Sequence, residues 1–144
     1  MQGMAGYSGT PLPKKLGIKD GARVAFVDAY EGFADTLGGL PPGVTVVTRD
    51  QDNIDVIVCF ATEPLALQAG IAQLKPRLAY TGGLWVCWPK RASGMATSLA
   101  ENIVRDAGLA AGLVDNKVCA IDERWSGLRF VYRLADRPAA MAGT

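Results

Sequence analysis

Three runs constrain this chain more than any other feature: Ala22 to Asp28 (ARVAFVD), Ile54 to Phe60 (IDVIVCF) and Leu84 to Trp88 (LWVCW). Each is apolar at nearly every position and rich in β-branched or aromatic side chains, so each reads as a strand buried on both faces. A strand covered on both faces belongs to a parallel sheet held between helices.

The segments between these runs supply the helices. Thr10 to Gly17 (TPLPKKLG) has a hydroxyl cap, a proline in the first turn and a closing glycine, and reads as a short helix. Tyr30 to Leu37 places Phe33 and Leu37 on one face before Gly38-Gly39. Pro41-Pro42-Gly43 marks a loop, Val44 to Thr48 a second strand, and Arg49 to Asn53 a polar turn into the third. Behind a Thr62 cap and an early Pro64, Leu67, Ile71, Leu74 and Leu78 recur at helical spacing and predict a helix of about four turns. Gly82-Gly83 opens the fourth strand. Ser98-Leu99-Ala100-Glu101 reads as a capping box, with Leu99, Ile103 and Val104 as the apolar stripe of the helix after it. Val114 to Ile121 and Leu128 to Leu134 read as two closing strands joined by Asp122 to Gly127, with Gly127 suited to a left-handed conformation. The expected fold is α/β: a three-layer, mostly parallel Rossmann-like sheet of about six strands that ends in an antiparallel β-hairpin. One domain over 11–134 is expected, with an N-terminal arm over 1–10 and a flexible tail over 135–144.

Composition removes several function classes. Fifteen Lys and Arg stand against fourteen Asp and Glu, so no global field draws the chain to nucleic acid or to an anionic membrane. Neither partner is expected. The start has no basic leader and no segment is apolar for the length of a membrane span, which predicts a soluble cytoplasmic protein. With no histidine, Ser-His-Asp and Cys-His nucleophile systems and imidazole zinc sites are excluded. No metal and no cofactor is expected. Cys59, Cys87 and Cys119 are each flanked by valine and read as reduced core thiols. Cys59 and Cys87 stand near the ends of neighbouring parallel strands, which predicts thiols close together.

In open α/β sheets ligands bind beyond the carboxyl ends of the strands, where strand order reverses. The tips there are Asp28-Ala29-Tyr30, Ala61-Thr62 and the start of WPKRASG, residues 88 to 94. Lys90 and Arg91, with the amides of Ser93 and Gly94 and a helix start downstream, suit a phosphate or carboxylate; the plainer reading is a solvated loop. Trp88 and Trp125 are either stacking platforms for a planar ligand or core residues. If the fifth strand is parallel to the others, the turn carrying Trp125 and Ser126 faces the same crevice. The candidate ligand set is therefore Asp28, Tyr30, Trp88, Lys90, Arg91, Ser93, Gly94, Trp125 and Ser126. No catalytic pair is visible, since Asp122 and Glu123 are adjacent and point apart on a strand. Three functions fit: a domain that binds or is regulated by a small anionic or nucleotide-like ligand, a degenerate methyltransferase-like or other group-transfer enzyme, and an interaction module using the tryptophan loops. The first is preferred. A homo-oligomer or a protein partner is compatible with all three.

Two resemblances extend this reading. Lys15 to Val24 (KLGIKDGARV), followed by this strand and helix order and a closing hairpin, resembles a shortened S-adenosylmethionine-dependent methyltransferase. Those enzymes follow the first strand with a glycine-rich turn that lets the backbone approach the cofactor. Here the turn is Asp28-Ala29-Tyr30-Glu31-Gly32, with one glycine, so the resemblance implies the fold without the usual cofactor cradle. A second resemblance is to an uncharacterised bacterial family, a domain of unknown function. It is carried by Gly6 to Leu12 (GYSGTPL), Leu84 to Gly94 (LWVCWPKRASG), and Gly112 to Asp122 (GLVDNKVCAID) running into Trp125-Ser126-Gly127. It spans roughly residues 6 to 134 and implies no activity.

Overall fold

The computed structural model describes residues 10–138. Six strands, β1 (Arg23–Val27), β2 (Thr45–Val46), β3 (Ile54–Phe60), β4 (Leu78–Pro89), β5 (Leu113–Ala120) and β6 (Trp125–Tyr132), form one sheet in the order β2-β1-β3-β4-β6-β5. The first four are parallel, and β6 runs antiparallel to both β4 and β5. The expected mixed sheet with its closing hairpin is thus present, and β5 does point the same way as β1, β3 and β4. Helices α1 (Leu12–Lys15) and α2 (Phe33–Leu37) cover one face; α3 (Pro64–Leu74) and α4 (Glu101–Ala110) cover the other. The expected N-terminal arm and C-terminal tail lie mostly outside the described residues. Among those described, no helix is long and apolar enough to cross a membrane.

The two cores follow from strand alternation. Ala25, Ile57, Leu84, Val86, Leu128 and Phe130 pack under α3 and α4. Val24, Val56, Val58, Trp85, Ile121 and Trp125 pack under α1 and α2. Trp85 is wholly buried, and its indole N–H donates to the Leu16 carbonyl at 2.9 Å, which fixes the short α1 segment to the middle of the sheet. On the other face Arg105 ties α4 to β5 through Asp115 (2.9 Å) while pairing within the helix with Glu101 (2.7 Å).

Local chemistry departs from the sequence expectation in several places. The first turn of α3 begins at Pro64 with Glu63 at the cap, so Thr62 lies outside it. The helix ends at Leu74 because Lys75-Pro76-Arg77 forms a 3-10 turn. Leu78 therefore belongs to β4, paired with Ile54, and the strand starts well before Gly82. The capping box does not form: Ala100 occupies the cap of α4 with no side-chain hydrogen bond. Thr97 instead accepts the Leu99 N–H and donates to the Thr62 carbonyl, tying two loops together. Ile103 is exposed, while Leu99 and Val104 are buried. The second strand shrinks to two exposed residues. The hairpin turn is shorter than expected, leaving Trp125, Ser126 and Gly127 inside β6. Gly127 is an ordinary strand residue. A Cβ there would sit 3.1 Å from Ile121 and 3.2 Å from the Trp85 ring, so close packing and not handedness favours glycine.

Gly108 of α4 is set against the Phe130 ring, where a Cβ would approach the ring carbons to 2.0 Å. In an open helix Gly→Ala stabilises by about 1 kcal/mol. Here overpacking should reverse the sign, and Gly108→Ala is expected to lose about 1–3 kcal/mol in urea melts. A stabilised variant would show that α4 shifts freely over the sheet.

Candidate functional site at the carboxyl edge

The carboxyl ends of β1, β3, β4 and β5 share one edge, and the strand order reverses between β1 and β3. The centre of this edge is filled by aromatic packing. The Tyr30 ring stacks nearly parallel on Trp125, with centroids 5.3 Å apart and planes at 8°. It meets Phe33 and Phe60 edge-on at 5.5 and 5.4 Å. Its hydroxyl donates to Asp122 Oδ2 at 2.6 Å, and Thr36 Oγ1 lies at 3.3 Å. Asp122 Oδ1 accepts the N–H groups of Arg124 (2.7 Å) and Trp125 (2.8 Å), while its carbonyl accepts from Lys90 Nζ at 2.8 Å. The Lys90 amide closes the set on the Arg124 carbonyl at 2.7 Å. One turn thus holds the tips of β1, β4 and β5.

The sheet divides the residues singled out in the sequence. Trp88 pairs with Ser126 and Pro89 with Trp125, so Trp88 and Ser126 face α4 while Trp125 faces α1 and α2. The two tryptophans do not share a crevice. At 5% and 4% exposure both are core residues, so the two tryptophans do not offer the exposed aromatic surface expected of an interaction module. Trp88, Lys90, Arg91 and Ser126 do meet, with Leu99, Ala100 and Glu101 of the α4 start, around a cavity of about 280 Å³. Ser93 and Gly94 lie outside it. Ser93 Oγ accepts the Met95 N–H and Gly94 takes a left-handed turn at φ 79°. Asp28 stands apart at the β1 tip, exposed and left-handed at φ 58°, with Arg49 from beyond β2 at 3.5 Å.

Sequence reasoning missed the partnership of Tyr30 with Asp122, which lie 92 positions apart. It also missed a cavity of about 420 Å³ on the α1 face, lined by Pro11, Lys15, Thr36, Gly38, Gly39 and Asp122 among others. Nothing local marks either one, because both depend on the pairing of β6 with β4.

The sheet divides the thiols as well. Cys59 registers with Val86, and Phe60 with Cys87, so Cys59 faces α3 and α4 while Cys87 faces α1. The expected neighbouring parallel strands are present, and one residue of register puts the two thiols on opposite faces of the sheet. Burial pushes the Cys59 thiol up to about 12 and the Cys87 thiol well above its ordinary value; Cys119, partly exposed, is raised for the same reason.

Comparison with protein-family models finds no match, and no curated protein matches the sequence. Solved structures do match in three dimensions. A SAM-dependent methyltransferase from Aquifex aeolicus superposes with a TM-score of 0.61 at 16% identity, over 81% of this chain and 85% of that one. A type 11 methyltransferase from Sulfolobus solfataricus gives 0.61 at 16%, over 88% and 92%. Magnesium protoporphyrin IX methyltransferase from Synechocystis PCC 6803 with bound SAM gives 0.54 at 12%, over 85% and 74%. The chain has the methyltransferase Rossmann-like fold. At these identities the likeness is one of architecture.

The β1 turn does not reproduce a glycine-rich cofactor cradle. Side chains stand at Asp28, Ala29, Tyr30 and Glu31, Gly32 alone is bare, and Tyr30 is locked by its ring contacts and its bond to Asp122.

Two measurements follow. Burial and the Asp122 hydrogen bond hold the Tyr30 hydroxyl far above the ordinary tyrosine value near 10. A raised folded-state value means that this stabilisation is complete below pH 10 and is lost as pH rises through the alkaline range. Tyr30→Phe should cost about 1–3 kcal/mol at pH 7 and flatten the alkaline fall in stability, read from denaturant melts between pH 7 and 11. An unchanged alkaline limb would assign that fall to other groups. Cys59 and Cys87 should react with a thiol reagent only on unfolding. Labelling at native pH within minutes would contradict their burial.

Proposed function

We propose that the chain is a degenerate methyltransferase-like protein of the group-transfer kind, which takes a small anionic or nucleotide-like ligand at the carboxyl edge beside Trp88, Lys90, Arg91, Ser126 and the first turn of α4. The observation that carries this reading is the cavity joining those residues at the edge where ligands of open α/β sheets lie. Arg91 is exposed there, and Lys90 keeps two ammonium protons beyond the one given to Asp122. The amides of the first turn of α4 add donors that no side chain caps. Glu101, drawn aside by Arg105, is the one carboxylate at the rim.

The fold of the structural neighbours favours a group-transfer role over a purely regulatory domain. The β1 turn argues for a departure from the usual cofactor. Tyr30 and Trp125 pack on the opposite face and reach the site only through the Asp122 turn that holds Lys90, while Asp28, Ser93 and Gly94 lie outside it. The three motifs shared with the uncharacterised bacterial family support membership of that family, and three reduced cysteines suit a cytoplasmic setting.

Calorimetric titration with S-adenosylmethionine, S-adenosylhomocysteine, a nucleoside triphosphate and inorganic phosphate tests the reading. At least one anionic ligand is expected to bind. The double variant Lys90→Ala, Arg91→Ala should abolish that binding while changing stability by about 0.5 kcal/mol, or by up to about 1 more for the lost Lys90 hydrogen bond. S-adenosylmethionine should bind more weakly than micromolar, and a stoichiometric micromolar isotherm would restore the ordinary cofactor. A parent that binds none of the four, or a double variant that binds as the parent does, overturns the proposal.

A further inference from the structure

The opposite edge of the sheet holds an arginine that has no acceptor among the described residues. Arg129 of β6 is half-buried on the α1 face, and its guanidinium makes no hydrogen bond or ion pair among the described residues. Its place is built into the main chain. Gly83 lies under it, where a Cβ would come within 2.3 Å of Nε and 2.7 Å of Nη2. The neighbouring Gly82 is equally bare, with the Asp55 carbonyl 2.5 Å from where its Cβ would be. Gly83 therefore leaves bare main chain beneath the guanidinium, while Gly82 makes room for the close approach of β3.

Arg129 looks into a cavity of about 290 Å³ lined by Gly17, Lys19, Asp20, Gly21, Asp55 and Thr81 among others. Lys19 is the second cation of that lining. Of its two carboxylates, Asp55 is engaged through Oδ2 by the Arg23 amide at 2.9 Å, and neither pairs with Arg129. A third cation, Arg137, adds to the field. Its Nη2 donates to the Tyr132 carbonyl at 3.2 Å, and its Nε is buried with no partner among the described residues. Desolvation of Arg129 and its repulsion by Arg137 both disfavour the charge, as a missing counter-anion predicts.

We propose that this amino-edge cavity binds the oxyanion group, carboxylate or phosphate, of a small ligand through the Arg129 guanidinium. A half-buried guanidinium without an acceptor is costly, and a planar fork of N–H donors matches a bidentate oxyanion. The volume is at the lower end for small-molecule pockets, so the ligand is a compact metabolite-sized anion and not a dinucleotide. Asp20 and Asp55 favour a ligand that also carries a hydroxyl or amine donor. The site is distinct from the carboxyl-edge cavity in edge, face and residues.

The test is a two-dimensional NMR titration of the arginine Nε–Hε resonances with sodium phosphate and, separately, sodium acetate, at constant ionic strength. The Arg129 resonance is expected to shift saturably with at least one probe in the low millimolar range. The stronger probe tells whether the site takes a tetrahedral phosphate or a planar carboxylate. The double variant at Lys90 and Arg91 should show the same shift, which separates this site from the one proposed above. Arg129→Lys, which keeps charge without the fork, should bind about tenfold more weakly by calorimetry. Lys19→Ala, at an exposed position, should weaken binding about threefold without loss of fold. Absence of a saturable Arg129 shift with both probes, or equal affinity in Arg129→Lys and the parent, overturns the proposal. In either case Arg129 is a packing residue only.

Discussion

The Asp122 carboxylate accepts from the Tyr30 hydroxyl and from two amides of its own turn, while its carbonyl accepts from Lys90. These bonds close the carboxyl edge from three directions. They set where β4 ends, how β5 turns into β6, and why the Tyr30 ring lies flat on Trp125. A half-buried carboxylate with three donors is well satisfied, and removal of any one donor leaves charge uncompensated in a partly desolvated place. The edge is therefore rigid at its centre and open at its sides, and the cavities lie at the sides.

The sheet then acts as a partition. Consecutive residues face opposite cores, so Trp85 and Val86, or Cys59 and Phe60, serve different layers although they adjoin in sequence. This rule separates the tryptophans and the thiols.

Much of the architecture is legible in the sequence because buried strands announce themselves: Ile54 to Phe60 is a strand at both ends as read, and Phe33 and Leu37 face the core as their spacing implies. Less legible is anything that depends on which of two local chemistries wins. Ser98 and Glu101 have the spacing of a capping box, yet Thr97 and Leu99 set the entry to α4. Leu78 fits a helical stripe, yet Pro76 ends the helix and pairing with Ile54 claims it. For the site, Trp88, Lys90, Arg91 and Ser126 are brought together as their placement at strand tips suggests. Trp125 is not, because the face on which a strand residue points is set by register, and register is fixed by partners far away in sequence. Tyr30, in the loop after β1, is held on Trp125 and Asp122 instead.

The long fourth strand carries one further consequence. Lys90 and Gly83 are separated by seven residues of nearly extended chain, about 23 Å at the rise of a strand. Ions at physiological strength screen charge over about 8 Å, so occupants of the two edges do not feel each other through space. Their binding free energies add, unless β4 itself slides or twists. Cooperativity between the two ends of the sheet, wherever it is measured, would therefore report motion of that single strand.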